Sequence, residues 1–246
     1  MYDARGQSHQ ANVDQYRSKL VQKFSRFTLL LAMTMASLAT PYSHAANLTG
    51  EQYAALYDRT TEYTIFRKGK RIGKHTLTIE TDNENITVAV DSRIKVTVLK
   101  VPVFRFRYES VEKWKNNALE SVQSTTTTNK KVETASLLNS TDASKIGYNG
   151  NVTSTDRLNF ATNHWHIGAV NESILFNTIN GQASSVSVEN RGPEIIQING
   201  QDITANHYIY SGDITAESWY DESGKWVKLS FDGEDGSKID YIIDTL

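Results

Sequence analysis

Tight-turn residues recur along this chain at short intervals, roughly every 8 to 14 residues, and leave room between them only for short extended segments. Asp82-Asn83-Glu84-Asn85, Asn116-Asn117, Asn129-Lys130, Gly192-Pro193, Asn199-Gly200, Ser211-Gly212-Asp213, Glu222-Ser223-Gly224 and Glu234-Asp235-Gly236 each offer a Gly, Asn or Asp able to take a positive φ. The stretches between them are rich in Val, Ile, Thr and aromatic residues, which suit a pleated surface. Strands closed by tight turns pair antiparallel with their sequence neighbours. The expectation is therefore an all-β domain, one strongly twisted, mainly antiparallel sheet curling into a barrel or half-barrel.

Two helices are expected beside the sheet. Thr49-Gly50-Glu51-Gln52 has capping-box spacing, and Tyr53, Leu56 and Tyr57 follow at helical intervals. Between Asn163 and Gly181, Ile167, Val170, Ile174, Leu175 and Thr178 also recur at helical spacing, which predicts one internal helix.

The first 45 residues read as a leader. Lys23 and Arg26 precede an acid-free apolar run, Phe27 to Ala39, and Ser43-His44-Ala45 places small residues where a signal peptidase cuts. The run is shorter than the roughly 20 residues a membrane-spanning helix needs. Cleavage after Ala45 would release Ala46–Leu246 as a single domain that does not span the membrane, directed to the periplasm or the exterior. The chain has no Cys, so no lipid anchor can be attached to one. Loss of residues 1–45 removes five basic and two acidic residues and leaves 21 basic against 26 acidic. That acidic balance argues against nucleic acid as a partner.

The most informative strand is Val103–Lys115, entered through an apolar bend at Leu99, Val101, Pro102 and Val103. It alternates strictly: Phe104, Phe106 and Tyr108 share one face, and Arg105, Arg107 and Glu109 the other. The aromatic face reads as core. The charged face is either a solvated outer surface or the wall of a concave pocket, where guanidinium forks would suit an anionic headgroup or carboxylate. Arg105, Arg107, Tyr108, Glu109 and Trp114 are the candidate ligand-binding residues. The bend, Leu99, Val101, Pro102 and Val103, is either covered by a helix or exposed as a patch for a lipid, a membrane or a partner protein.

No catalytic residues are assigned: Gly-x-Ser-x-Gly and His-Glu-x-x-His are both absent from the sequence. His164-Trp165-His166 and His207 lack an acidic or Cys partner at metal-ligand spacing, so they read as structural or surface histidines and no metal or cofactor is expected.

Phe66-Arg67-Lys68-Gly69-Lys70-Arg71-Ile72-Gly73-Lys74-His75, then Val101–Tyr108 with Glu112 and Trp114, then Tyr208, Trp219-Tyr220-Asp221, Gly224-Lys225-Trp226, Asp235-Gly236 and Tyr241 form a spaced pattern. It resembles a family of exported bacterial proteins known only as a domain of unknown function. The resemblance implies a secreted or periplasmic β-rich domain and brings no activity with it. Three functional readings stand at this point. The chain binds or chaperones an apolar or amphiphilic ligand such as a lipid; it is an envelope interaction module docking through Leu99–Phe104; or it is an enzyme of unknown class.

Overall fold

Turn residues with positive φ set the hairpins. Asn83, Asn116, Asn117, Asn129, Asn149 and Asn199 all take φ between 48° and 59°, and Gly69, Gly150 and Gly200 extend such turns in the same region. The structure, a computed structural model, describes residues 48–99 and 101–246. The polar leader, the apolar run and the cleavage position after Ala45 lie outside the described residues. Those that are described fall in one unit, Tyr42–Leu246.

One helix, α1 (Gly50–Leu56), precedes the strands. Its capping box forms as the sequence predicts: the Thr49 hydroxyl accepts from the Gln52 N–H, and the Gln52 side chain accepts from the Thr49 N–H at 2.7 Å. The strands are β1 (Thr60–Arg67), β2 (Lys70–Asp82), β3 (Asn85–Val98), β4 (Val101–Lys115), β5 (Ala118–Thr128), β6 (Lys131–Asn139), β7 (Ala143–Tyr148) and β8 (Asn151–Asp156). After a long irregular strap come β9 (Ile174–Phe176), β10 (Ala183–Ile198), β11 (Gln201–Gly212), β12 (Ala216–Asp221), β13 (Trp226–Asp232) and β14 (Lys238–Ile243).

These make one 14-stranded sheet in the order β8-β7-β6-β5-β4-β3-β2-β1-β14-β13-β12-β11-β10-β9. Each named strand pair is antiparallel. Two consecutive meanders are thus joined in the middle, where the first and last strands pair with Tyr63 opposite Ile243. The sheet does not close into a barrel; β8 and β9 are its edges. The β9 edge is nevertheless covered, because the Phe160–Thr162 segment bridges Phe176 in parallel through Ala161. The turn after β9 then reaches β7. Gly181, at φ 69°, sits so close that a Cβ there would lie 2.6 Å from the Gly147 carbonyl.

The inner face follows the alternation of each strand. One row across the sheet reads Thr126, Tyr108, Ser92, His75 and Tyr63, and another reads Val122, Glu112, Val88 and Ile79. Every one of these side chains is buried. α1 and the strap from Arg157 to Ser173 fill the space they enclose, with Tyr53, Tyr57, Leu158, Trp165 and Ile167 all at most 5% exposed.

Two local expectations are corrected. The internal helix between Asn163 and Gly181 is reduced to a five-residue 3-10 turn, Ile167–Asn171, followed directly by β9. His166 caps the start of this turn, its Nδ1 accepting from the Gly168 N–H at 3.0 Å, and the chain leaves it at Glu172 to pair Ile174–Phe176 with β10. Gly168 also abuts the Phe160 ring, where a Cβ would come within 2.7 Å. The apolar spacing that imitates a helix belongs to a chain whose side chains enter the core one by one. The second correction concerns Gly192-Pro193, which pairs with β11 inside a continuous β10, directly after a bulge at Arg191, rather than forming a turn between two strands. Gly192 takes φ 83°, and its N–H donates to the Asn190 side chain at 2.8 Å.

Candidate functional site

β4 sorts the candidate residues onto two faces, as its period of two requires. Arg105 and Arg107 are exposed on the outer face, and Glu109 lies half-buried beside them. There Arg93 holds Asp91 with two bonds, Nε to Oδ1 at 2.9 Å and Nη2 to Oδ2 at 2.7 Å. Arg107 bridges Asp91 at 3.3 Å and Glu109 at 2.6 Å. The Arg93 hydrogen bonds, then those of Arg107, hold the Asp91 carboxyl below its ordinary range. Asp91 and Glu109 are part of an open trough of about 660 Å³ on this outer face, floored by Thr76, Thr78, Gln123 and Thr125.

Tyr108 and Trp114 point the opposite way, into the filled interior, and are 5% and 2% exposed. The structure therefore does not bring the five candidate ligand residues together. The arginines and Glu109 share the outer surface, while Tyr108 and Trp114 belong to the core.

On the inner face of β4 lies a side chain that the candidate set omits, Glu112, 1% exposed. Its Oε2 accepts the indole N–H of Trp114 and of Trp165, each at 2.8 Å, and its Oε1 accepts the Asn163 amide at 2.6 Å. Asn163 also donates to the Ser110 hydroxyl at 3.0 Å and accepts the Tyr108 hydroxyl at 2.6 Å. Burial raises the Glu112 carboxyl, against the opposing pull of these three neutral donors. Position parity was the available signal: Phe104, Phe106, Tyr108, Ser110, Glu112 and Trp114 alternate on one side. Its partners Asn163 and Trp165 carried no such signal, because they sit in the irregular strap.

Tyrosines hold the same strap by its backbone. The Tyr57 hydroxyl donates to the Trp165 carbonyl and accepts from the Trp226 N–H at 3.0 Å. Tyr220 donates to the His164 carbonyl at 2.9 Å, and Tyr63 donates to the Trp226 carbonyl at 2.8 Å. His164 and His166 are thereby sealed among aromatic rings, and burial lowers each to about 4. His75, beneath Ser92, is lowered to about 3, first by burial and then by repulsion from His164. His207 stands apart on the outer face, stacked on Trp219 at 4.4 Å with Glu217 3.0 Å away. Among the described residues no group of three His, Cys, Asp or Glu is arranged to hold a metal ion.

The apolar bend is the tip of the β3–β4 hairpin. β2 stops pairing with β3 at Ile94, and β5 stops pairing with β4 at Phe106, yet Val96 still pairs with Phe104 and Val98 with Val101. Beyond these points the two strands pair only with each other, over roughly 13 Å of ribbon at about 3.3 Å per residue. Leu99, in the turn, is 93% exposed, and Val103 is 55% exposed. The turn also places Leu99 at φ 49°, a conformation in which Asn or Gly is at ease and Leu is not. Val101 and Pro102 open β4 beside it. The ribbon has two chemically distinct faces. Ile94, Val96, Phe104 and Phe106 lie half-buried on the inner one, and Arg93, Lys95, Arg105 and Arg107 lie exposed on the outer one.

An open antiparallel sheet, plugged from within and carrying one projecting amphipathic ribbon, defines the class of protein. The chain belongs to the domain-of-unknown-function family DUF6134, whose model matches residues 63–244. No curated protein matches the chain. Among the described residues no helix is long and apolar enough to cross a membrane.

Proposed function

We propose that this is an exported, non-catalytic domain that binds or chaperones an apolar or amphiphilic ligand at the mouth of the sheet, under the β3–β4 hairpin. The observation that carries the reading is the ribbon itself. On its inner face Ile94 and Phe106 pack against the core, Val96 and Phe104 lie half-buried beyond them, and Leu99 stands almost fully exposed at its apex. With Leu99 and Val103 exposed beside the half-buried Val96 and Phe104, the ribbon offers an apolar patch that an apolar ligand would cover. The non-catalytic part of the reading is supported by the sealing of the titratable interior. Glu112, His164 and His166 are 1%, 9% and 6% exposed, which leaves a substrate no approach to them. Export is supported by the order of basic, apolar and small residues before Ala46.

Titration with N-phenyl-1-naphthylamine, a small apolar fluorophore, tests the binding. Its emission should rise on addition of the protein, and Phe104→Asp should weaken that response with little change in melting temperature. A flat titration, together with a ligand-free mass for protein purified gently from the periplasm, would overturn the reading.

A further inference from the structure

The ends of three hairpins converge beside the exposed tip, and their charge has one sign. The β1–β2 turn brings Lys68, Lys70 and Arg71; the β3–β4 ribbon brings Lys95 and Arg105; the β5–β6 turn brings Lys130. All six are exposed. Among the described residues none of the six forms an ion pair, although acidic residues are close by. Those acids are matched by other cations: Asp235 by Arg67, Asp91 by Arg93 and Arg107, and Glu133 by Lys131. Six uncompensated cations on a chain of net charge −2 are a local feature, not an average one. The β13–β14 turn next to β1 carries Asp232, Glu234 and Asp235 and bounds this collar on that side.

We propose that this end of the molecule docks on an anionic lipid surface, with Leu99 and Val103 entering the headgroup region and the collar resting on lipid phosphates. This deepens the proposed function, on which it rests, by naming the surface the ribbon meets. An apolar apex ringed by free Lys and Arg is the arrangement that interfacial binding requires: apolar area supplies depth, and cations supply attraction to anionic headgroups. The ammonium and guanidinium heads can reach phosphates while their stems lie against the apolar tip. The strained Leu99 fits the same account. A leucine at φ 49° costs the free protein stability that Asn would spare, and it is compensated only where the side chain has an apolar place to go.

The test is co-sedimentation of the full-length chain with vesicles of phosphatidylcholine alone or mixed with phosphatidylglycerol. Every variant shares residues 27–39, so any membrane affinity of that apolar run cancels in the comparison. Binding to the mixed vesicles should exceed binding to neutral ones and fall as salt is raised. Leu99→Asp and the pair Lys95→Glu with Arg105→Glu should each weaken it about tenfold or more. Leu99→Asn, which suits the turn, serves as the second apex variant should Leu99→Asp melt early. Equal binding to both vesicle types, indifference to the apex variants, or binding of an acidic protein without vesicles would overturn the inference. If the apolar fluorophore binds while vesicles do not, the docking inference falls and the ligand-binding reading stands. If neither binds, both fall.

Discussion

Glu112 ties the strap to the sheet with a single carboxylate, and its removal should be felt more than that of an ordinary core residue. Glu112→Ala leaves two indole N–H groups and an amide without an acceptor in a dry site, which should cost about 3 kcal/mol or more in urea unfolding. Glu112→Gln keeps one oxygen for the indoles and should cost about 1 kcal/mol. The fold disfavours the ionised carboxylate, so what Glu112 contributes is fully present below the unfolded value of 4.5 and declines as pH rises through the raised folded value. The Gln deficit should accordingly narrow from acid towards neutral pH, and a constant deficit would show that the charge is irrelevant. Parity alone places Glu112 inside. It cannot announce that Asn163 and Trp165 will meet it, because those contacts depend on how an irregular segment folds back across some fifty residues.

At the scale of elements, the β3–β4 hairpin is the place where local rules are broken. A two-residue turn with positive φ ordinarily selects Asn-Gly, whereas this one carries an apolar residue. Leu99→Asn should leave the melting temperature unchanged or raise it, by an amount worth about 1 kcal/mol, since it relieves a left-handed leucine. A clear fall in thermal melts would mean that Leu99 packs against something and is not an exposed tip. The hairpins and α1 were legible because each is announced by its own turn or cap within a few residues. The internal helix was misread for the opposite reason. Ile167, Val170, Ile174 and Leu175 mimic a period of 3.6, but Ile174 and Leu175 pair with β10 and Gly168 fits under Phe160, and both effects are tertiary. Gly192-Pro193 imitates a turn in the same way, although the strand continues through it with one residue unpaired. The two sides of β4 were readable as chemistry, and only the fold decides that the arginines look outward.

Taken whole, the described residues enclose three neutral imidazoles, and these set the response to acid. His75, His164 and His166 are held at about 3, 4 and 4, well below the 6.5 of an unfolded histidine. Their depressed values mean that stability is fully present above pH 6.5 and is lost as pH falls towards the folded values, because the unfolded chain takes up protons that the fold refuses. With all three titrating, the slope approaches three protons, about 4 kcal/mol per pH unit. Chemical denaturation should therefore show stability level above pH 7 and cooperative acid unfolding between pH 6 and 4. A domain fully stable at pH 4 would show that at least one imidazole can protonate in place. The curled sheet itself was legible in the sequence, but its openness was not, since strand periodicity is the same in a closed barrel and an open one. The pairing of β1 with β14 has a consequence in time. A chain emerging from its N-terminus builds β1 early and must hold one side of that strand unpaired until the last segment, Lys238–Ile243, is delivered. Each meander can zip from neighbour to neighbour, whereas the seam between them spans nearly the whole sequence and is the slow kind of contact to make. The β1–β14 seam is therefore expected to be the last pairing made, with each meander keeping a free edge until it forms.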